Sequence, residues 1–106
     1  MSTITKLTDT LVKVHGSVSS ANAAQFEEEL LSAISGQNLT VDAEALTYIS
    51  SAGLRVLLKA KKALAGQLVM ENVSADVYDI LDMTGFTQIL TVKKAYRQKK
   101  NSKMIC

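Results

Sequence analysis

The residues best placed to do chemistry in this chain are Ser50-Ser51-Ala52-Gly53. They follow the apolar residues Leu46, Tyr48 and Ile49 and precede a long apolar stretch from Leu54 to Ala65, so the two hydroxyls fall at the start of a helix. A helix start presents unpaired amide N–H groups and the positive end of the helix dipole, and both favour an anion. A serine there can cap the helix with its oxygen, or its hydroxyl can receive a phosphoryl group whose charge those amides tolerate. Spacing alone admits both readings. His15 is the only histidine and Cys106 the only cysteine, which excludes a multi-histidine metal site, a cysteine-built zinc site and an internal disulfide. His15 falls at a predicted strand end with no identifiable nucleophile beside it, and no Gly-rich phosphate loop occurs. The expectation is a protein that is not an enzyme, needs no cofactor and hydrolyses no nucleotide by itself.

The elements that must position these serines are legible in the apolar spacing. Ile4, then Leu11, Val12 and Val14, flank the turn signal Thr8-Asp9 and predict a hairpin whose second strand is closed by Gly16. Ser17 to Ser20 supply capping residues, and Ala23, Phe26, Leu30 and Ile34 recur at spacings of three and four, which predicts a helix ended by Gly36. Glu27, Glu28 and Glu29 read as its solvated surface. Leu39, Val41 and Ala43 alternate with Thr40 and Asp42 as in a strand, and the helix after the serines runs to Ala65 before Gly66. Lys59, Lys61 and Lys62 complement the negative end of that helix. Leu68-Val69-Met70 is a buried strand, and Ser74 caps a helix carrying Val77, Ile80 and Leu81 on one face. Gly85 is a left-handed stop with Phe86 placed to pack back on Leu81, and Ile89 to Val92 form the last strand. The resulting order β-β-α-β-α-β-α-β predicts an α/β domain with a mixed sheet of about four to five strands.

At 106 residues and 47% hydrophobic content the chain supports one core, because a domain of this size buries only about two-thirds of its unfolded surface. The net charge of +2 conceals a division. Six of the twelve cations, Lys93, Lys94, Arg97, Lys99, Lys100 and Lys103, follow residue 92 without an acidic residue among them, which leaves residues 1–92 at −4. Residues 1–92 are therefore expected to form the domain and 93–106 a basic extension. Tyr96 is the only aromatic residue among those cations, so a solvated extension is expected and direct nucleic-acid binding is not. The start Met-Ser-Thr-Ile-Thr-Lys lacks the order of a signal peptide, and no apolar run approaches the ~18 residues of a membrane span. A cytoplasmic protein with no membrane contact is the corresponding expectation.

The stretch from Leu39 to Leu57, which includes Ile49-Ser50-Ser51-Ala52-Gly53-Leu54-Arg55, resembles the signature of STAS domains, specifically bacterial anti-sigma factor antagonists. Val14-His15-Gly16-Ser17-Val18-Ser19 resembles the early loop of that family, where Gly-Glu-Leu-Asp is common, and Ile80 to Phe86 resembles its late helix ending. In the family a hydrophobic-Asp-Ser-Ser/Thr-Gly-Leu motif opens the second helix, and the serine after the aspartate is phosphorylated by a partner that is both kinase and anti-sigma factor. The matching position is Ser51. Ser50 stands where the family has aspartate and is the second candidate acceptor; Ala52 replaces the second hydroxyl residue, and Ser19 stands where Asp is frequent. The resemblance implies an ATP-binding anti-sigma factor/serine kinase and a phosphatase as partners, with contact through Ser19, Ser50, Ser51, Ala52, Gly53 and Arg55. The small residues, Gly53 above all, are expected to let a partner backbone come close. A non-switching STAS subunit of a transporter-associated or stress-sensing complex is the alternative implied function.

Overall fold

The computed structural model describes residues 3–95. Strands β1 (Ile4–Thr8) and β2 (Leu11–Val18) form the hairpin, followed by α1 (Ala23–Ala33), β3 (Leu39–Ile49), α2 (Ser51–Ala63), β4 (Leu68–Val73), α3 (Ala75–Met83), a 3₁₀ turn (Phe86–Gln88) and β5 (Thr91–Lys94). The element order is the expected β-β-α-β-α-β-α-β. The strands lie side by side in the order β1-β2-β3-β4-β5, with β1 antiparallel to β2 and every other pair parallel. Crossovers of one hand that each advance by one strand place all three helices on the same sheet face. The burial pattern agrees with that arrangement. Val12, Val14, Leu39, Val41, Ala43, Leu68 and Met70 are essentially fully buried, whereas the alternating Leu11, Lys13, Thr40, Asp42 and Val69 are half-buried. Phe26 and Leu30 of α1, Leu57 and Ala60 of α2, and Val77 and Leu81 of α3 close the core from the helical side. Each large apolar side chain so buried contributes about 1.5–3 kcal/mol.

Strand β3 is longer than its alternation predicts. Its pairing with β2 slips twice, between Asp42 and Ala45 and between Leu46 and Tyr48, so β3 holds an extra residue at each slip. An extra residue reverses which side chains face the core, and the buried positions accordingly change spacing from 41 and 43 to 46 and 49. The first slip is held by Asp42, whose Oδ1 accepts from the Glu44 N–H at 3.0 Å and from Asn72 Nδ2 at 3.1 Å. Gly16 sits inside β2 rather than closing it, with φ +72 next to the second slip. Such a φ suits glycine because it has no Cβ to clash.

Helix ends depart from expectation where a local signal competes with packing. The N-cap of α1 is Asn22, while Ser17 lies in β2 and Ser19 precedes the turn. The helix stops at Ala33 with Ile34 extended, so Gly36 is not its left-handed stop. Helix α2 ends at Ala63, two residues early, because Leu64 leaves the helix to bury its side chain. The last strand starts at Thr91, since Phe86–Gln88 take up the 3₁₀ turn, and it therefore includes Lys93 and Lys94. Ser74 caps α3 through the Val77 N–H, and Gly85 is left-handed at φ +83, both as expected. The remaining cations of the basic extension, from Arg97 onward, lie outside the described residues.

The glutamates of α1 are not simply a solvated surface. Glu27 takes an ion pair from Lys59 of α2 at 2.9 Å. Glu29 Oε1 accepts from the Thr3 hydroxyl at 2.6 Å and from the Thr3 N–H at 2.8 Å, which ties the start of β1 to α1. The Thr3 hydroxyl is the main reason that the Glu29 carboxyl is held down at about 2, against an ordinary value of 4.5. A carboxyl whose folded pKa is depressed adds stability above its unfolded value and loses it as the pH falls through the folded one. We therefore expect the stability gap between the wild type and Glu29→Gln to close as the pH is lowered from 4.5 towards 2, followed by thermal denaturation. A gap that stays constant over that range would rule out the tether.

Candidate functional site

Parallel pairing brings the serines to the loop before α1. Val18 opposes Ile49 as the last pair of β2 and β3, so Ser19 and Ser50 leave adjacent strands at the same end of the sheet. The Ser50 N–H donates to the Val18 carbonyl at 2.8 Å and fixes that junction. The Ser19 loop is itself ordered by Asn22: its Oδ1 accepts from the Ser19 N–H at 2.8 Å, and its Nδ2 donates to the Ser17 carbonyl at 3.0 Å. Sequence reading does not single out Asn22: it stands at the N-cap position of α1, but its side chain makes no cap bond to the helix and closes the Ser19 loop instead.

The two serines differ in what their hydroxyls do. Ser50 is half-buried with extended backbone and is the N-cap of α2; its Oγ accepts from the Gly53 N–H at 3.3 Å and its carbonyl from the Leu54 N–H at 2.9 Å. Ser51 is the first helical residue and exposed, and its hydroxyl has no hydrogen bond to any described residue. Capping and an available hydroxyl, which the sequence offered as alternatives for either serine, are divided between them. Ser50→Ala is expected to cost about 1 kcal/mol of stability, the usual value of a lost serine cap, read as a lower urea midpoint. An unchanged midpoint would mean that the long Ser50–Gly53 bond contributes nothing.

Ala52 is half-buried and Arg55 exposed, one helical turn beyond Ser51. Gly53 does not face outward. It is buried, and a Cβ built on it would stand 2.7 Å from Ile49 Cγ1 and 2.8 Å from Val18 Cγ1. The close approach that Gly53 permits is therefore internal, between the first turn of α2 and the ends of β2 and β3, and not the approach of another backbone expected from sequence. Tyr48 is 48% exposed and opposes Ser17 in the strand register, which adds an aromatic surface to this edge. Its exposure follows from the second slip in β3 and could not be read from a strict alternation. His15 is exposed and hydrogen-bonds Thr5 Oγ1 through Nε2 at 2.8 Å. Among the described residues no group of three or more His, Cys, Asp and Glu side chains is placed to hold a metal ion, and no helix is long and apolar enough to cross a membrane. The groove between β1 and α1, lined by Ile4, Lys6, Gln25, Glu28, Glu29 and Ser32 among others, includes no residue of the serine junction.

The family model of the STAS domain matches residues 2–99. Over 84 residues, 74% of this chain and 72% of the relative, the sequence is 38% identical to BtrV of Bordetella bronchiseptica, a candidate anti-sigma factor antagonist. An anti-sigma factor antagonist structure from Mycobacterium paratuberculosis superimposes with a TM-score of 0.74 at 15% identity, covering 96% of this chain and 92% of the other. A candidate antagonist from Thermotoga maritima gives 0.71 at 14% identity, with 93% and 91% covered. The antagonist SpoIIAA in its unphosphorylated form gives 0.58 at 15% identity, with 95% and 94% covered. At such identities the structures speak to the fold, and the whole-chain family match together with the closer sequence relative speaks to descent. The chain belongs to the STAS domain family, among its anti-sigma factor antagonists.

Proposed function

We propose that this domain is a phosphorylation-controlled antagonist, which binds an anti-sigma factor that is also an ATP-dependent serine kinase and is released when Ser51 is modified. The observation that carries the reading is the exposed hydroxyl of Ser51 at the first position of α2, beside the Ser19 loop, which makes no hydrogen bond to any described residue. A kinase needs a hydroxyl it can reach, and Ser50 offers one already engaged as a cap. The surface that receives the partner comprises Ser19, Ser50, Ser51, Ala52 and Arg55, with Gly53 beneath them holding the helix start against the sheet.

Release follows from electrostatics. Phosphorylation adds a charge of about −1.5 to −2 and the bulk of a phosphate at the centre of a close contact. Against an apolar or acidic partner surface, repulsion and desolvation of a few kcal/mol lower affinity by tens to hundreds of fold. The released anti-sigma factor recaptures its sigma factor, and a phosphatase restores the antagonist. Nucleotide enters this cycle with the kinase and not with the present chain.

Incubation with the purified cognate kinase and ATP, followed by phosphopeptide mapping, tests the assignment. Modification at Ser51 is expected. Modification confined to Ser50 would move the acceptor by one residue, and a tightly bound but unmodified chain would identify a non-switching subunit of a larger assembly instead.

A further inference from the structure

Helix α2 presents Ser51, Arg55, Lys59 and Lys62 at spacings of four, four and three, and all four residues are exposed. Side chains so spaced stand one above another on a helix, with Cβ atoms of neighbours about 5–6 Å apart. The cations of this ridge are not equivalent. Lys59 is neutralised by Glu27 of α1 at 2.9 Å, whereas Arg55 makes no hydrogen bond or ion pair with any described residue. The first turn of α2 holds no acidic residue, and the Ser17–Asn22 connection beside it carries no charged side chain. Among the described residues, a guanidinium with no acidic partner therefore stands one turn from a hydroxyl with no hydrogen bond.

We propose that Arg55 is the counter-ion of phosphorylated Ser51, a role that rests on the reading of Ser51 as the acceptor. In the transfer, Ser51 Oγ bonds to the γ-phosphorus of ATP held by the kinase. The bond from that phosphorus to the β–γ bridging oxygen breaks, ADP leaves with the electron pair, and the hydroxyl proton passes to the kinase's base. The new phosphate then accepts from the Arg55 fork, whose paired donors match phosphate oxygens. Modification thereby changes two features of the surface together: it adds negative charge at residue 51 and engages the positive charge of residue 55. A lysine would supply charge without the fork.

Phosphoserine installed at position 51 of the full chain during translation makes the pair observable without a kinase. The second ionisation of the phosphate, followed by phosphorus-31 NMR, should have its midpoint below the free value of ~6. Arg55→Gln should raise that midpoint by about half a pH unit, less than a buried pair would give because the site is exposed, and Arg55→Lys should hold it in between. Replacing Arg97, Lys99, Lys100 and Lys103 together by Gln should leave it unchanged. A midpoint unmoved by Arg55→Gln, or one moved by the C-terminal replacements in its place, would overturn the proposal. Circular dichroism of each variant separates a changed pair from a changed fold. Because the phosphate is installed directly, this result is independent of whether the kinase chooses Ser51, which the phosphopeptide map decides.

Discussion

Ser51→Asp is expected to lower affinity for the anti-sigma factor by about ten- to a hundredfold, or about 1.4–2.8 kcal/mol, while leaving the domain folded. The two halves of that expectation have separate causes. A carboxylate at the first position of a helix interacts favourably with the positive dipole end, by about 0.3–1 kcal/mol at an exposed site, so the fold should be as stable as the wild type or slightly more so. Binding suffers because the same charge meets the partner at a position occupied in the wild type by a neutral, exposed hydroxyl. Aspartate carries one charge and no tetrahedral bulk, so its effect should fall short of true phosphorylation. Ser51→Ala supplies the complement: it should bind as the wild type does and resist release by kinase and ATP. Calorimetric titration of the purified pair reads both. Wild-type affinity in Ser51→Asp, together with undiminished release of Ser51→Ala, would remove Ser51 from the switch.

The second large effect falls on stability. Gly53→Ala gains helix propensity, by roughly 0.8–1 kcal/mol over glycine in a helix interior. Packing opposes it more strongly. The new Cβ would meet Ile49 Cγ1 at 2.7 Å and Val18 Cγ1 at 2.8 Å, and both side chains are within 1% of complete burial, so neither has space to yield. Overpacking a closed core typically costs about 1–3 kcal/mol, and two simultaneous clashes argue for the upper part of that range. A net destabilisation of about 1–2 kcal/mol follows, against a total of only 5–15 kcal/mol for a typical domain. Relief of the clash lifts the first turn of α2 from the ends of β2 and β3, which also shifts Ser51 relative to the Ser19 loop. Urea denaturation should show the lower midpoint for Gly53→Ala and a larger fall for Gly53→Val. A midpoint at or above that of the wild type would mean that propensity wins and that the helix start has slack.

These two neighbours were not equally legible. The position of Ser51 at a helix start follows from the apolar residues on either side of it, a local pattern that the chain carries wherever it folds. The role of Gly53 does not, because its reason lies in Val18, thirty-five residues earlier, and in the parallel pairing that brings β2 beside β3. Sequence reading placed the small residue correctly and explained it by an external contact. The contact it permits is internal, against Ile49 and Val18.

The same distinction runs through the rest of the molecule. Element order, the apolar faces of the helices, the Ser74 cap and the left-handed Gly85 were all determined by residues within a few positions of one another, where helical period, capping oxygen and backbone φ are local properties. Tertiary structure decided what depends on distant partners: the two slips of β3 against β2 that turn Tyr48 outward, the Glu29–Thr3 tether across 26 residues, and the Lys59–Glu27 pair across 32, whereas Arg55 has no such partner among the described residues. It also decided which serine caps and which is exposed, because a one-residue difference in where a helix begins sends one hydroxyl back to the Gly53 amide and the other out to the surface.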